Sequence, residues 1–482
     1  MHLIDYLILV LYLGGVLALG GAFFRSNRST ESYTLGDRSL PTWVVGMSIF
    51  ATYVSSISFL ALPGNAYSGN WNAFVFSLSI PIAAIIARRY FVPLYRRVNS
   101  PSAYAFLEER FGVWARVYAS ACYLLTQVMR TGTILYLLAL SLQVFLGWSL
   151  PVLIISITIV VLIYSLLGGF RAVVWTDAIQ GLLLIGGALT CVLYLLFSMP
   201  EGPQQLFDIA GAQGKFSLGS WAFDLKQPTV WVVLVYGLFI NLQNYGIDQN
   251  YVQRYLAART DEAAKSSAFW GGMLYIPVSL LFLFIGAGLF AFYQARPDLL
   301  PAGLAGDKVF PHFIIHQLPA GLTGLLVAAI LAAGMSTIST SFNSGATVIL
   351  SDYYQRFAKK PIDNASGLKV LYLSSTVLAV LGMAVGLAMI NVQSALDAWW
   401  KLASVFSGGM LGLFLLGAFI AHASRPAAVA GVLLGILIIM WMSLSPIWWA
   451  NASWSNPWHN YLTIVFGTAA IFLTGWLGSA KR

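Results

Sequence analysis

Residues Ala332-Ala333-Gly334-Met335-Ser336-Thr337-Ile338-Ser339-Thr340-Ser341 decide how this chain is read. They are a run of small and hydroxyl side chains inside a long apolar stretch. At helical spacing, positions 333, 336 and 337 share one face, as do 336, 339 and 340. Two readings compete. Small residues are the usual means of bringing helices close inside a bilayer. The same hydroxyls can also give a dehydrated cation several neutral oxygen ligands. Alone, the run favours packing; its surroundings change the balance.

Those surroundings are membrane-like. Of the 482 residues, 59% are hydrophobic and only 9% are charged, with a mean hydropathy of +0.78. Soluble proteins carry about a quarter charged residues. Apolar runs of about twenty residues recur along the whole length, each long enough to cross a bilayer. The chain is therefore expected to be an all-α polytopic membrane protein. Its thirteen or so transmembrane helices fall at roughly 4–24, 42–66, 73–95, 115–145, 150–168, 175–198, 229–253, 266–295, 319–351, 368–390, 395–420, 427–446 and 459–478. The first run has no basic leader and no clear cleavage site, so it reads as a helix and not a signal peptide. Cys122 and Cys191 both lie in apolar segments, which excludes a disulfide framework or thiolate metal site. His2, His312, His316, His422 and His459 sit near segment ends and give no facing intramembrane pair for haem.

Orientation follows from the basic residues. With the N-terminus outside and the C-terminus cytoplasmic, the inner loops and adjoining span ends hold 20 of the 26 lysines and arginines. The outer loops hold only Lys215, Lys226, Arg296 and Lys308. The excess of positive charge is thus topological and calls for no nucleic-acid partner. The expected location is the inner (plasma) membrane. The longest loops, about 199–228 and 296–318, are too short for a soluble domain. That favours transport over sensing or membrane enzymology. No intramembrane nucleophile–base pair or metal cluster is visible, so an enzyme is not expected.

Charges inside spans cost roughly 2.5–3.5 kcal/mol on insertion scales and are functional by default. Asp397 and Lys401, four apart, read as a mutually neutralising pair. Asp248, with Gln249 and Arg254 close by, reads as structural. Asp177 opens a span after the Gly168-Gly169 turn. It is either a helix N-terminal carboxylate favoured by the dipole or an anionic ligand for a sodium ion on the inner side. Arg130, in mid-span, either bonds carbonyls of a broken helix or pairs bidentately with a substrate carboxylate.

Two spans look discontinuous. One holds Ala51-Thr52-Tyr53-Val54-Ser55-Ser56-Ile57-Ser58 and then Pro63-Gly64-Asn65; the other holds Asn241-Leu242-Gln243-Asn244-Tyr245-Gly246. Unwound backbone at membrane depth is tolerated where it lines a cavity or is buried in protein. Breaks five spans apart point to inverted repeats with the site between them. The expected division is a leading helix and inner loop over 1–41, repeats over 42–200 and 201–421, and two trailing helices over 422–482.

Three segments together resemble the sodium/solute symporter family. They are Gly168-Gly169-Phe170 with Val174-Trp175-Thr176-Asp177-Ala178-Ile179-Gln180-Gly181, then Asp248-Gln249-Asn250-Tyr251-Val252-Gln253-Arg254-Tyr255-Leu256-Ala257-Ala258, and the 332–344 run ending Ser341-Phe342-Asn343-Ser344. The resemblance covers nearly the whole chain and implies a five-plus-five inverted-repeat (LeuT-like) core. It also implies a first sodium site from the carbonyls of Ala51, Val54 and Ala333 and the hydroxyls of Ser336 and Thr337. A second sodium site, found in part of the family, would use Asp177, Ser336, Ser339 and Thr340.

Within the family the chain looks most like bacterial sialic-acid symporters, whose carboxylate pocket would map onto Ser55, Ser58 and Arg130. Tyr53 stands where that branch has a smaller hydroxyl residue, and Ser77 where it has a larger amide. Asn241 and Asn244 would line the opposing broken helix. Leu62, Phe74 and Phe76 are gate candidates.

The implied function is sodium-coupled import of an acidic sugar such as sialic acid by alternating access, by a chain working as a monomer. A neutral sugar, a monocarboxylate or an amino acid is the alternative cargo. A sensor or channel-like protein on the same fold is the alternative class. One sodium with a monoanion moves no net charge. Two sodium ions move one, recovering about 2.3 kcal/mol per 100 mV, and a tenfold gradient adds about 1.4 kcal/mol per ion. Two sodium ions per substrate are therefore expected.

Overall fold

The computed structural model describes residues 2–24, 29–391 and 408–479. The expected Asp397–Lys401 pair lies outside them. The described chain is helical throughout, apart from turns, loops and one isolated bridge between Leu40 and Ala258. In chain order its principal helices are α1 (Leu3–Phe24), α2 (Thr42–Tyr53), α3 (Ser56–Ser68), α4 (Trp71–Val98) and α5 (Val113–Leu146). Then come α6 (Leu150–Phe197), α7 (Val230–Ile247), α8 (Gln249–Ala257), α9 (Asp261–Ala295) and α10 (Gly306–His316). The last are α11 (Leu322–Gln355), α12 (Asn364–Ala388), α13 (Gly408–Phe419), α14 (Arg425–Trp448) and α15 (Leu462–Ser479).

Ten of these are long and apolar enough to cross a membrane singly, and α2 with α3 form an eleventh, bent span. The thirteen expected spans differ from this in two places. Spans five and six are the single 48-residue run α6, divided only at Gly169, whose φ of 54° and ψ of −158° suit glycine alone. Among the described residues, span eleven is represented by the short apolar α13.

The quoted run lies at the centre. Every residue of α11 from Leu326 to Val348 is buried, and α11 packs against α1, α2, α3, α5, α6 and α12. Small side chains let so many helices approach one axis. The start of α11 is held by Asp5 of α1, whose Oδ1 accepts the backbone N–H groups of Gly321 (2.7 Å) and Gly324 (2.9 Å). These are donors that a helix start leaves without intrahelical partners.

Both expected breaks exist, but one is shifted. Val54 (φ −90°, ψ 119°) and Ser55 (φ −118°, ψ 174°) interrupt the second span, which bends by 50°. In the seventh, Asn241 to Gly246 stay helical within α7, and the interruption falls at Asp248 (φ −76°, ψ 118°). The Asp248 side chain accepts the N–H of Asn250 at 2.8 Å, capping the fresh helix α8. Polar residues alone do not break a helix whose side chains find partners; a capping aspartate that restarts it does.

Among the described glycines, the closest approach to another helix's backbone is where α9 crosses α3. A β-carbon on Gly286 would lie 2.2 Å from the carbonyl oxygen of Pro63 and 2.7 Å from the β-carbon of Ala66. Backbone cannot swing aside, so Gly286→Ala is expected to lower stability by about 1–3 kcal/mol. Thermal unfolding of the purified variant checks this; an unchanged midpoint would mean that the two helices slide apart freely.

The end of the bundle carrying the arginine-rich loops is tied by ion pairs. Arg116 Nη2 meets Asp352 Oδ1 at 2.7 Å and its Nη1 meets Glu108 Oε2 at 2.8 Å, while Arg356 Nη2 meets Glu108 Oε1 at 2.6 Å. Partial burial alone would raise the Glu108 carboxyl, but Arg116 and Arg356 outweigh it and hold the group below its usual range. A depressed folded value means that the stability it contributes is present above the unfolded value, near pH 4.3. It is lost as pH falls through the lower folded value. Glu108→Gln is therefore expected to flatten the loss of thermal stability on acidification below about pH 4.5; parallel wild-type and variant curves would contradict it.

Candidate functional site

The two breaks, with α5 between them, enclose a cavity of about 550 Å³, within the size range of small-molecule sites. Its walls come from α2 and α3 (Thr52, Tyr53, Ser55, Ser58, Leu62), α4 (Phe76, Ser77), α5 (Thr126, Gln127, Arg130), α7 (Tyr236, Gln243, Asn244), the Asp248 break, Tyr251 and Tyr275. It runs toward the loop side opposite the Arg116 network, where Asn70, Asn72, Pro228 and Tyr461 line it.

Of the expected substrate residues, Tyr53, Ser55, Ser58, Ser77, Arg130 and Asn244 all line this cavity. Ser77 also shares a hydrogen bond of 2.8 Å with Ser279. Asn241 is the exception. It is fully buried, donates to Ser79 Oγ at 2.9 Å, and does not line the cavity. It lies three positions before Asn244, yet its amide nitrogen is taken up in packing α7 against α4. Of the gate candidates, Leu62 and Phe76 line the cavity and Phe74 does not. Phe76 instead pairs with Tyr236 (6.0 Å between ring centroids), and Tyr236 stacks on Tyr461 at 4.5 Å. This aromatic cluster at the loop-side end was not foreseen, because Tyr236 and Tyr461 lie 225 positions apart in the chain.

Electrostatically the cavity has two poles. Arg130 makes one hydrogen bond to protein among the described residues, from Nη2 to the carbonyl oxygen of Thr52 at 3.3 Å. Thr52 sits in the last turn of α2, whose carbonyls the break leaves without helical donors. Asp248 lines the same cavity; it both caps α8, as the structural reading required, and faces the space Arg130 faces. Gln127 is one helical turn from Arg130 on α5 and shares its face. Its Oε1 accepts from Ser341 (2.8 Å) and Asn250 (3.2 Å), and its Nε2 has no protein partner among the described residues. Gln127 and Asp248 are the polar wall residues that motif reading passed over. An intramembrane carboxylate and an amide one turn from the lone arginine were the available signals.

The residues expected for the first sodium site lie where the α2–α3 break meets α11. The carbonyls of Ala51 and Val54 belong to the broken segment. The carbonyl of Ala333 accepts from Thr337 Oγ1 at 3.2 Å, and Ser336 Oγ donates to Asp177 Oδ1 at 2.6 Å. Each of these residues offers a neutral oxygen, the donor chemistry a hard monovalent cation takes.

The residues expected for the second site are brought together, but with a partner that was not anticipated. Asp177 is fully buried and accepts from Ser336 and from Ser48 (2.6 Å). Its Oδ2 also lies 2.6 Å from Nη2 of the equally buried Arg254, which donates to Thr340 Oγ1 at 2.9 Å as well. Ser339 turns its hydroxyl to the carbonyl oxygen of Ser336 at 3.0 Å. Among the described residues no group of three or more His, Cys, Asp or Glu side chains is placed to hold a transition metal.

With this geometry in view, the chain's relatives are informative. Residues 33–435 match the model of the sodium:solute symporter family. The sodium/sialic acid symporter of Proteus mirabilis is 34% identical over 441 residues, covering 91% of this chain and 89% of that protein. The sodium-dependent multivitamin transporter of Oryctolagus cuniculus is 30% identical over 457 residues, covering 92% and 71%. A solved structure of a Na⁺-coupled sialic acid symporter, described as substrate-bound, outward-open and revealing a novel Na⁺ site, superposes with a TM-score of 0.93 at 30% identity, covering 100% of this chain and 98% of that one. That likeness carries the LeuT-like transporter fold expected above. The chain belongs to the sodium:solute symporter family and is a sodium-coupled, membrane-embedded solute transporter, not an enzyme.

Proposed function

We propose that the chain imports an acidic, hydroxyl-rich small solute such as sialic acid, with two sodium ions per solute, by alternating access. The observation that carries this reading is Arg130, an underused guanidinium facing a solute-sized cavity. A guanidinium left with a single long hydrogen bond gains most from a planar carboxylate, which it can clasp with two parallel bonds. Ser55 and Ser58 are placed to support the same end. Asp248, Gln127 and Asn244, on the same cavity, supply acceptors and a free donor for hydroxyl or amide groups of the solute. A short monocarboxylate would leave those groups unanswered.

Sodium at Ala51, Val54, Ala333, Ser336 and Thr337 would tie the first broken span to α11 and so order the wall that carries Ser55 and Ser58. Sodium and solute then favour the same conformation, and each raises the affinity of the other by an equal factor. Leu62 with the Phe76–Tyr236–Tyr461 cluster closes the loop-side mouth. The N-terminus lies outside, 42–200 and 201–421 act as the two repeats, and the chain works as a monomer.

The Asp248 carboxylate favours a second reading, an amino acid whose ammonium group pairs with it while Arg130 takes the carboxylate. A thermal-shift panel of sialic acids, neutral sugars, monocarboxylates and amino acids, with and without sodium, tests both. A ligand at 100 times its Kd stabilises by about 2.7 kcal/mol, a clear shift. Acidic sugars are expected to stabilise the protein, and only with sodium. Stabilisation by non-acidic ligands alone would overturn the role given to Arg130.

A further inference from the structure

Arg254 spends four of its five N–H donors in the core. Nη2 donates to Asp177 Oδ2 and Thr340 Oγ1, Nε donates to Ser48 Oγ at 2.7 Å, and Nη1 donates to the carbonyl oxygen of Asn250. Asp177 and Thr340 are two of the four side chains read as ligands of the second sodium, and Ser336, a third, is bound to the same carboxylate. We propose that Arg254 is a tethered cation that alternates with sodium on Asp177, and that this exchange passes sodium occupancy to the solute pocket. The exchange rests on the reading of Asp177, Ser336, Ser339 and Thr340 as a sodium site.

The charge balance requires alternation. One buried carboxylate compensates one cation. With Arg254 in place the cluster is neutral, and sodium on the same oxygens would add a buried charge without a counterion. Sodium therefore settles only as the guanidinium turns from Asp177 toward Asp248, the other buried carboxylate whose charge it offsets. A covalently tethered competitor is always present at the same effective concentration, so it weakens sodium binding evenly on both faces of the membrane. The site then fills where sodium is abundant and empties where it is scarce.

The connection to the pocket is a short chain of contacts. Arg254 lies on α8, six residues beyond the Asp248 break, and holds the carbonyl of Asn250. The N–H of Asn250 is capped by Asp248 (2.8 Å), its amide donates to Gln127 Oε1 (3.2 Å), and its Oδ1 accepts from Tyr123 (2.8 Å). Asp248 and Gln127 both line the cavity. Displacing Arg254 thus releases a segment whose two ends are solute-facing side chains, a physically contiguous route between the sites.

The test uses the full-length protein in proteoliposomes and in detergent. Reversal potentials give the number of sodium ions per solute for the wild type, Ser48→Ala and Arg254→Gln, and sodium titrations of solute binding give the sodium midpoint. Ser48→Ala takes one hydrogen bond from Arg254 and one from Asp177 while keeping all four ligand side chains, and decides the matter should Arg254→Gln fail to fold. At an unchanged stoichiometry of two, the sodium midpoint is expected to fall threefold or more in Ser48→Ala and tenfold or more in Arg254→Gln. The ratio of solute affinities with and without saturating sodium is expected to shrink in both. A stoichiometry of two with unmoved or raised midpoints overturns the exchange alone. A wild-type stoichiometry of one overturns the second-site reading and the exchange with it.

Discussion

Arg130→Gln is expected to abolish sodium-dependent stabilisation by acidic solutes at a smaller cost to the empty protein. The guanidinium has a single hydrogen bond to protein, at 3.3 Å, and also offsets the charge of the buried Asp248 carboxylate, so its removal lowers the stability of the empty protein without stranding a directly bonded side chain. With solute bound, the same removal strands a desolvated carboxylate. Losing one partner of a buried charge pair costs roughly 2–5 kcal/mol, or about 30-fold to several thousandfold in affinity. Arg130→Lys should recover little, because an ammonium cannot make the two parallel bonds of a planar fork. Binding isotherms with an acidic sugar and its neutral analogue separate the outcomes. Equal weakening for both would mean that the arginine shapes the cavity without contacting a carboxylate.

Asp177→Asn is expected to fail in a different way, through stability as well as transport. Asp177 is the acidic partner of the fully buried Arg254. Without its charge the guanidinium is left uncompensated, which for buried pairs costs about 3–5 kcal/mol. The variant should therefore show a sharply lowered unfolding midpoint together with loss of uptake. Joining it to Arg254→Gln should restore much of the stability, since removing both charges is far milder than removing one, but should not restore two-sodium transport. Lys401→Met should be tolerated far better than either single change at the pair. Thermal unfolding and initial uptake rates of the four variants check this. A stable, fully active Asp177→Asn would remove the case for an ion at that position.

How much of this was legible beforehand differs from residue to residue. Arg130 stood out because a lone cation in mid-span has no cheap explanation, and it lines the cavity as expected. The 332–341 run, read alone, favours close helix packing, and α11 is buried from Leu326 to Val348. The seventh-span break was misplaced because Asn241 to Gly246 look disruptive as a string, whereas in the fold Asn241 donates its amide to Ser79 and the helix continues to Ile247. Arg254 was hidden by its address. It sits among basic residues that the charge pattern reads as inner-loop, yet it is fully buried and reaches Asp177 77 positions away. Pairings at that separation, like Tyr236 on Tyr461, leave no periodic trace in one sequence. Phe74 and Phe76 are two residues apart on a helix and point in different directions, so naming both as gate candidates could place only one at the cavity.

The central claim is that sodium completes an otherwise unfinished solute site, so that cargo capture and sodium entry cannot be separated. The most direct measurement is uptake of a labelled acidic sugar into proteoliposomes under an inward sodium gradient, compared with the same vesicles after every external sodium ion is replaced by choline. The expected result is accumulation well above the external concentration with sodium and none with choline. Equal accumulation in both would contradict the account.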